Sequence, residues 1–257
     1  MIQALLIDLD GTVYEGDALV PGAVEAVARL RERGIPFLFT TNTSRMSRRA
    51  VVERLAGMGL RIDPERVLTA PVAAALWLRR EDLERILLLL PASTHEDFAG
   101  FALVHGDAAC QAVVVGDLGP GFTFARLNAA FRALRAGARL VAIHKNRFWL
   151  PAGGPTLDAG PFVVGLEYAA RVEAALVGKP APAFFELAAG TLGVPVDGLA
   201  VVGDDPESDI RGAKAAGLTA IQVETGKFDA ARAAEAPREE RPDYRIGSIA
   251  ELPGFLG

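Results

Sequence analysis

The residues best suited to chemistry begin at the eighth position, where Asp8-Leu9-Asp10-Gly11-Thr12 follows the apolar run Ala4-Leu5-Leu6-Ile7. An apolar run too short for a helix reads as a buried strand, and the glycine after it ends that strand. Two carboxylates therefore stand at a strand end, where open parallel sheets bind ligands. Alternate strand side chains share a face, which lets Asp8 and Asp10 meet one ligand while Leu9 faces the core; a strand ending at Asp8 instead frees Asp10 to turn and donate a proton. Close anions raise each other's pKa unless a cation is near, so the pair reads as half of a Mg2+ site and, in outline, as a centre for phosphoryl transfer. The same five residues also fit an ordinary strand-to-turn junction.

Three further signals follow predicted strands. Thr41-Asn42-Thr43-Ser44 comes after Pro36–Thr40; a hydroxyl and backbone N–H groups at a strand-to-helix turn can hold phosphate oxygens, or merely cap the next helix. Gly178-Lys179-Pro180 comes after Ala174–Val177; its ammonium could pair with a carboxylate and a transferring phosphoryl group, or sit at the surface before a turn. Gly203-Asp204-Asp205-Pro206-Glu207-Ser208-Asp209 comes after Leu199–Val202. Its acids are hard oxygen ligands with no Cys or His nearby, which selects Mg2+ over Zn2+. His95, His105 and His144 all fall between residues 75 and 172, so acid–base work near the carboxylates is left to carboxylates. No serine follows the nucleophile-elbow pattern, which disfavours a Ser-His-Asp hydrolase. His105 reads as structural. His144, beside Lys145, Asn146 and Arg147, could as well face a ligand.

The elements that must position these groups alternate between strand and helix along the chain, the pattern of an α/β fold with a mainly parallel sheet. Helices are expected over Pro21–Arg33, from Ser47 to about Met58, over Thr123–Ala136, near Pro182–Thr191 and over Asp209–Ala216. Strands Arg85–Leu90, Ala112–Val115 and Arg139–Ile143 form a second block, and the first rhythm returns at Ala174–Val177. The spacing predicts a discontinuous core of residues 1–74 and 173–257 with an inserted domain over 75–172. Residues 230–242 fit a helix or a connection. With 257 residues, 51% of them hydrophobic and 23% charged, the chain can bury a large core. The net charge of −5 argues against nucleic-acid binding. The run Ile86–Leu90 is too short to span a membrane, no secretory segment precedes the first strand, and Cys110 is the one cysteine. These features lead us to expect a cytoplasmic protein with neither membrane nor nucleic-acid partner.

The four motifs, in this order, resemble the haloacid dehalogenase (HAD) superfamily over essentially the whole chain. Gly160-Pro161-Phe162 leading to Leu166-Glu167-Tyr168-Ala169 looks like the NagD-type branch, subfamily IIA, with a type-2 (C2) α/β cap. Ala142–Arg147, Val177–Pro180 and Thr225-Gly226-Lys227 are most similar to the subgroup related to phospholysine phosphohistidine inorganic pyrophosphate phosphatase. The resemblance implies a HAD-type Rossmann-like core that performs the reaction and a cap that selects the substrate. It implies Asp8 as nucleophile forming an aspartyl-phosphate, and Asp10 as general acid and then base. It further implies Mg2+ held by the Asp8 carboxylate, the Asp10 backbone carbonyl and Asp204 with support from Asp209. Thr41 and Asn42 would hold phosphoryl oxygens, and Lys179 would steady the nucleophile and the developing charge.

Asp10 favours a phosphatase over a dehalogenase, because halide needs no proton on leaving. Asp205 stands where several NagD-type members carry Asn. In the cap, His144, Arg147, Phe148 and Trp149 are the candidate substrate-selecting residues, with packing as the alternative for the two aromatic rings. The expected partner is a small phosphorylated metabolite, with a homodimer through the cap. Competing readings are a phosphotransferase or mutase using the same nucleophile, and a receiver-like switch phosphorylated on Asp8.

Overall fold

The computed structural model describes residues 2–149 and 153–257. The chain opens with β1 (Ala4–Asp8), buried throughout, then the hairpin of β2 (Tyr14–Glu15) and β3 (Ala18–Leu19). Helix α1 (Ala23–Glu32) buries Ala23, Ala26, Val27 and Leu30, the spacing of one helical face, and shows its charged residues elsewhere. Strand β4 (Phe37–Thr41), helix α2 (Arg48–Gly57), strand β5 (Val67–Thr69) and helix α3 (Ala70–Arg80) follow.

The middle of the chain carries β6 (Arg85–Leu89), β7 (Ala102–Val104), β8 (Ala112–Val115), α4 (Phe124–Arg135) and β9 (Arg139–Ala142). Thr123 caps α4, its hydroxyl accepting from the Arg126 N–H. A second hairpin, β10 (Phe148–Trp149) with β11 (Thr156–Leu157), precedes α5 (Gly160–Ala170) and β12 (Ala175–Leu176). Helix α6 (Pro182–Leu192), strand β13 (Leu199–Gly203), helix α7 (Gly212–Ala215), strand β14 (Thr219–Val223), helix α8 (Ala230–Glu235), strand β15 (Tyr244–Ile246) and helix α9 (Leu252–Phe255) complete the order.

Two compact units result, one of Met1–Thr41, Arg49–Leu68 and Lys179–Gly257, the other of Asn42–Arg48 and Thr69–Gly178. The first is organised on a six-stranded sheet in the order β15-β14-β13-β1-β4-β5. β1 is flanked by β13 and β4, both parallel to it, with Ile7 opposite Val202 and Asp8 opposite Thr40. The chain runs from β1 to one side and later returns on the other, so the carboxyl end of β1 is the switch point at which such sheets bind ligands. The second unit has its own parallel sheet, β12-β9-β8-β6-β7. Leu87, Leu89, Val113, Val115 and Leu140 of this sheet pack with Leu134 of α4 and with Val163 and Leu166 of α5. The expected α/β architecture, a parallel Rossmann-like core with an inserted α/β unit, is the one observed.

Several local expectations change. The spacing places Ala174–Val177 in the first unit's sheet, whereas β12 pairs with β9 of the second, Ala175 opposite Val141 and Leu176 opposite Ala142. An apolar run this short does not specify which sheet receives it, since both offer parallel partners. The helix expected over Asp209–Ala216 is split, with the wide π-helical turn Pro206–Arg211 carrying Asp209 and only Gly212–Ala215 in α7. Residues 230–242 hold α8 and a short 3-10 turn at Arg238–Glu240. His105 is exposed rather than set in an apolar environment.

Candidate active site

The carboxylate centre lies in the first unit and draws on three separate stretches of chain. β1 ends at Asp8, which is buried, and Leu9 is fully enclosed behind it. The Leu9 carbonyl then accepts from the N–H groups of Val13 at 2.8 Å and Tyr14 at 3.1 Å, a tight reversal that leaves Asp10 outside the strand and exposed. Gly11, at φ 87°, belongs to this reversal, and a Cβ there would fall onto the Asp204 carboxylate. Glycine is thus required both for the backbone angle and for the closeness of the two loops.

Lys179, Asp204 and Asp209 complete the centre. The Lys179 ammonium, 2% exposed, donates to Asp8 Oδ1 at 2.5 Å and to Asp209 Oδ1 at 2.6 Å. The other Asp209 oxygen accepts from the Asp205 N–H at 3.3 Å. Asp8, Asp204 and Asp209 each offer a carboxylate oxygen within 4.8 Å of the others. Burial pushes Asp8 up to about 6 despite Lys179, with Asp204 and Asp10 pushing the same way. Burial likewise pushes Asp204 up to about 6 against the Lys227 N–H, and Asp209 up to about 7 against Lys179. Burial alone would discharge Lys179, but Asp209 and Asp8 more than offset it and keep the ammonium charged.

One buried cation faces three buried carboxylates, so their ionised forms call for additional positive charge. A hard divalent cation fits that need, since the donors are all oxygens and close enough to share one ion. The side-chain group comprises Asp209 and not the Asp10 carboxylate; Asp10 is exposed at the edge of the buried cluster, where a carboxyl can exchange protons with solvent.

The remaining candidates are distributed between the units. Thr41 is the buried last residue of β4, and Asn42, half-buried, begins the next segment in the second unit. His144, Arg147, Phe148 and Trp149 all belong to the second unit. His144 is buried there, its Nε2 3.0 Å from the Ser44 hydroxyl, and burial lowers its pKa so that it stays neutral. Arg147, Phe148 and Trp149 are exposed. Trp149 packs under the Arg45 guanidinium, 5.1 Å from the ring centroid, while Arg45 Nε pairs with Asp117 at 2.9 Å.

Motif reasoning gave no role to Thr225, Gly226, Lys227 or Glu15. The Thr225 hydroxyl donates to the Gly11 carbonyl at 2.5 Å, the Gly226 N–H to Glu15 Oε1 at 2.6 Å, and the Lys227 N–H to Asp204 Oδ2 at 2.7 Å. Thr225-Gly226-Lys227 contributes to the family resemblance, but the only physical signal of its role is its place as a turn just after a strand.

Two family descriptions match the chain: "Haloacid dehalogenase-like hydrolase" over residues 5–103 and "HAD-hydrolase-like" over residues 176–252. Human haloacid dehalogenase-like hydrolase domain-containing protein 2 is 37% identical over 243 residues, covering 95% of this chain and 91% of that one. Rat phospholysine phosphohistidine inorganic pyrophosphate phosphatase is 34% identical, covering 99% and 94%. Among solved structures, a glycerol phosphate phosphatase from Mycobacterium tuberculosis in complex with magnesium is 32% identical with a TM-score of 0.86, covering 98% of this chain and 76% of that one. The switch-point carboxylates and these matches together place the chain in the haloacid dehalogenase-like hydrolase family, among its NagD-like phosphatases, as a hydrolase of phosphoric esters.

Proposed function

We propose that this chain is a Mg2+-dependent phosphatase of small phosphomonoesters that works through an aspartyl-phosphate on Asp8. The observation that carries this reading is the buried Lys179 ammonium bridging Asp8 and Asp209, with Asp204 alongside. That arrangement fixes one Asp8 oxygen, supplies one positive charge, and leaves a carboxylate set suited to a hard cation. Asp8 and Asp204, with the Asp10 backbone carbonyl, would hold Mg2+, and Asp209 would support them. When bound, the ion supplies positive charge that keeps Asp8 ionised and reduces its repulsion from a phosphoryl group.

In the first step an Asp8 oxygen attacks phosphorus, a new O–P bond forms, and the ester O–P bond breaks as Asp10 gives its proton to the leaving oxygen. In the second, Asp10 as carboxylate takes a proton from water. The water oxygen attacks the same phosphorus, freeing the Asp8 carboxylate and inorganic phosphate. Lys179 holds the attacking carboxylate in place and meets the charge that develops on the phosphoryl oxygens, with Thr41 and Asn42 as the further donors to those oxygens. The second unit, through the exposed Arg147, Phe148 and Trp149, would choose the ester. The relative that is named a glycerol phosphate phosphatase supports a small ester as substrate.

The test is phosphate release from p-nitrophenyl phosphate, glycerol phosphate, pyrophosphate and phosphohistidine, in Mg2+ or EDTA, with the parent protein and Asp8→Asn. Release that requires both Mg2+ and Asp8 is expected. Undiminished release in EDTA, or by Asp8→Asn, would overturn the proposal.

A further inference from the structure

The loop after β14 closes on the carboxylate centre with two functions combined in one residue. Lys227 donates its backbone N–H to Asp204 Oδ2 at 2.7 Å, and its ammonium pairs with Asp205 Oδ2 at 2.6 Å. The other Asp205 oxygen accepts from the N–H groups of Glu207 at 2.8 Å and Ser208 at 3.1 Å, capping the turn that carries Asp209. Asp205 is thereby committed on both oxygens, one to backbone and one to a cation. The loop is fitted closely: Gly226 has φ 63°, and a Cβ there would fall onto the Asp204 carboxylate and reach within 2.5 Å of the Gly11 Cα.

We propose that Lys227 is a positioning residue that sets the charge of the metal centre. Its N–H orients Asp204, and its ammonium cancels Asp205, so that a bound cation meets only Asp8, Asp204 and Asp209 against Lys179. This inference rests on the Mg2+ reading above. The consequence has a definite sign. Without the ammonium, Asp205 adds an uncompensated negative charge beside the site, which holds a divalent cation more tightly and repels a phosphoryl dianion. Without the Asp205 carboxylate, the ammonium adds positive charge and does the reverse. Removing the lysine side chain leaves the backbone N–H, so the charge effect separates from the orienting one. The Lys227 side chain is 70% exposed and that of Asp205 20% exposed, so solvent screens part of the effect. A single charge at such a partly exposed position changes binding about three- to tenfold.

The experiment compares the parent protein with Lys227→Met, Lys227→Arg, Asp205→Asn and the double variant Lys227→Met/Asp205→Asn. Mg2+ affinity is read by calorimetry without substrate, and inorganic phosphate affinity by competitive inhibition. Lys227→Met should bind Mg2+ about three- to tenfold more tightly and phosphate more weakly by a similar factor, and Asp205→Asn should move both in the opposite sense. Lys227→Arg and the double variant should return both constants to within about twofold of the parent. If the parent takes up Mg2+ but Lys227→Met and Asp205→Asn leave both constants unchanged, this inference fails and the phosphatase reading stands. The same holds if both substitutions shift Mg2+ affinity in one direction. If the parent takes up no Mg2+, both fail.

Discussion

Each unit encloses a network of buried polar side chains, and the two differ in charge. In the first, Asp8, Lys179, Asp204 and Asp209 are ionisable, nearly inaccessible, and short of positive charge by their own count. In the second, the buried Ser44 hydroxyl accepts from the Asp117 N–H at 2.9 Å and lies 3.0 Å from a neutral His144. His144 Nδ1 has no hydrogen-bond partner, and the nearest Asp158 oxygen stands 3.7 Å away. Here Asp117 already has its cation in Arg45. The second cluster lacks one hydrogen bond, at His144 Nδ1, whereas the first is left with excess negative charge that calls for a bound cation. The contrast separates a cluster short of positive charge from a largely neutral one without reference to any motif.

Substitutions should divide along the same line. Asp8→Asn is expected to lower turnover by at least about 10^4-fold with little loss of fold, because it replaces the carboxylate proposed to attack by an unreactive amide; measurable multiple turnover would remove Asp8 from that role. Lys179→Met leaves buried carboxylates without their cation and should cost about 3–5 kcal/mol, read by urea unfolding in EDTA. Added Mg2+ should recover part of that loss.

The pH dependence follows from the raised carboxyl groups. Asp8 and Asp204 at about 6 and Asp209 at about 7 hold protons in the folded protein that the unfolded chain releases near 4. Between those limits the folded state binds more protons, so the metal-free protein should lose stability as pH rises from about 4 to 7. The gain in melting temperature from Mg2+ should grow over the same range; a gain that shrinks with pH would contradict the charge argument.

In the second unit, His144→Ala should cost about 1–3 kcal/mol by stripping the buried Ser44 hydroxyl of its neighbour. A rise in KM beyond that stability effect would return His144 to substrate selection. Phe148→Ala, at an exposed position, should change stability least, by no more than about 0.5 kcal/mol, so an altered KM would report contact with substrate.

The sequence made the first unit's chemistry legible because each motif pairs a short apolar run with a distinctive polar turn. Asp8, Thr41 and the Asp204–Asp209 loop could be found one at a time, and parallel pairing does the gathering. Lys179 was found for a partly mistaken reason, since the strand before it belongs to the other sheet; the Gly-Lys-Pro turn carried the information. The clamp by Thr225, Gly226 and Lys227 is illegible in physical terms, because its bonds to Gly11 and Glu15 span more than two hundred residues and even its bond to Asp204 joins loops after different strands, so no local pattern marks them. In the second unit, nothing in the types or spacing of Ser44 and His144 announced that they would meet. Their contact depends on residues 42–48 joining the later segment 69–178, a matter of tertiary packing rather than periodicity.

The order in which the centre's parts occur along the chain bears on how the protein comes to exist. Asp8 precedes residues 69–178, its lysine partner follows them, and the loop that orients Asp204 comes later still. During synthesis β1 must therefore wait, unpaired on the side that will receive β13, while a whole parallel-sheet unit is completed. A chain stopped before residue 179 carries Asp8, Asp10, Thr41 and Asn42 but lacks Lys179, Asp204 and Asp209. The buried charge cluster therefore exists only once the segments on both sides of residues 69–178 have been joined.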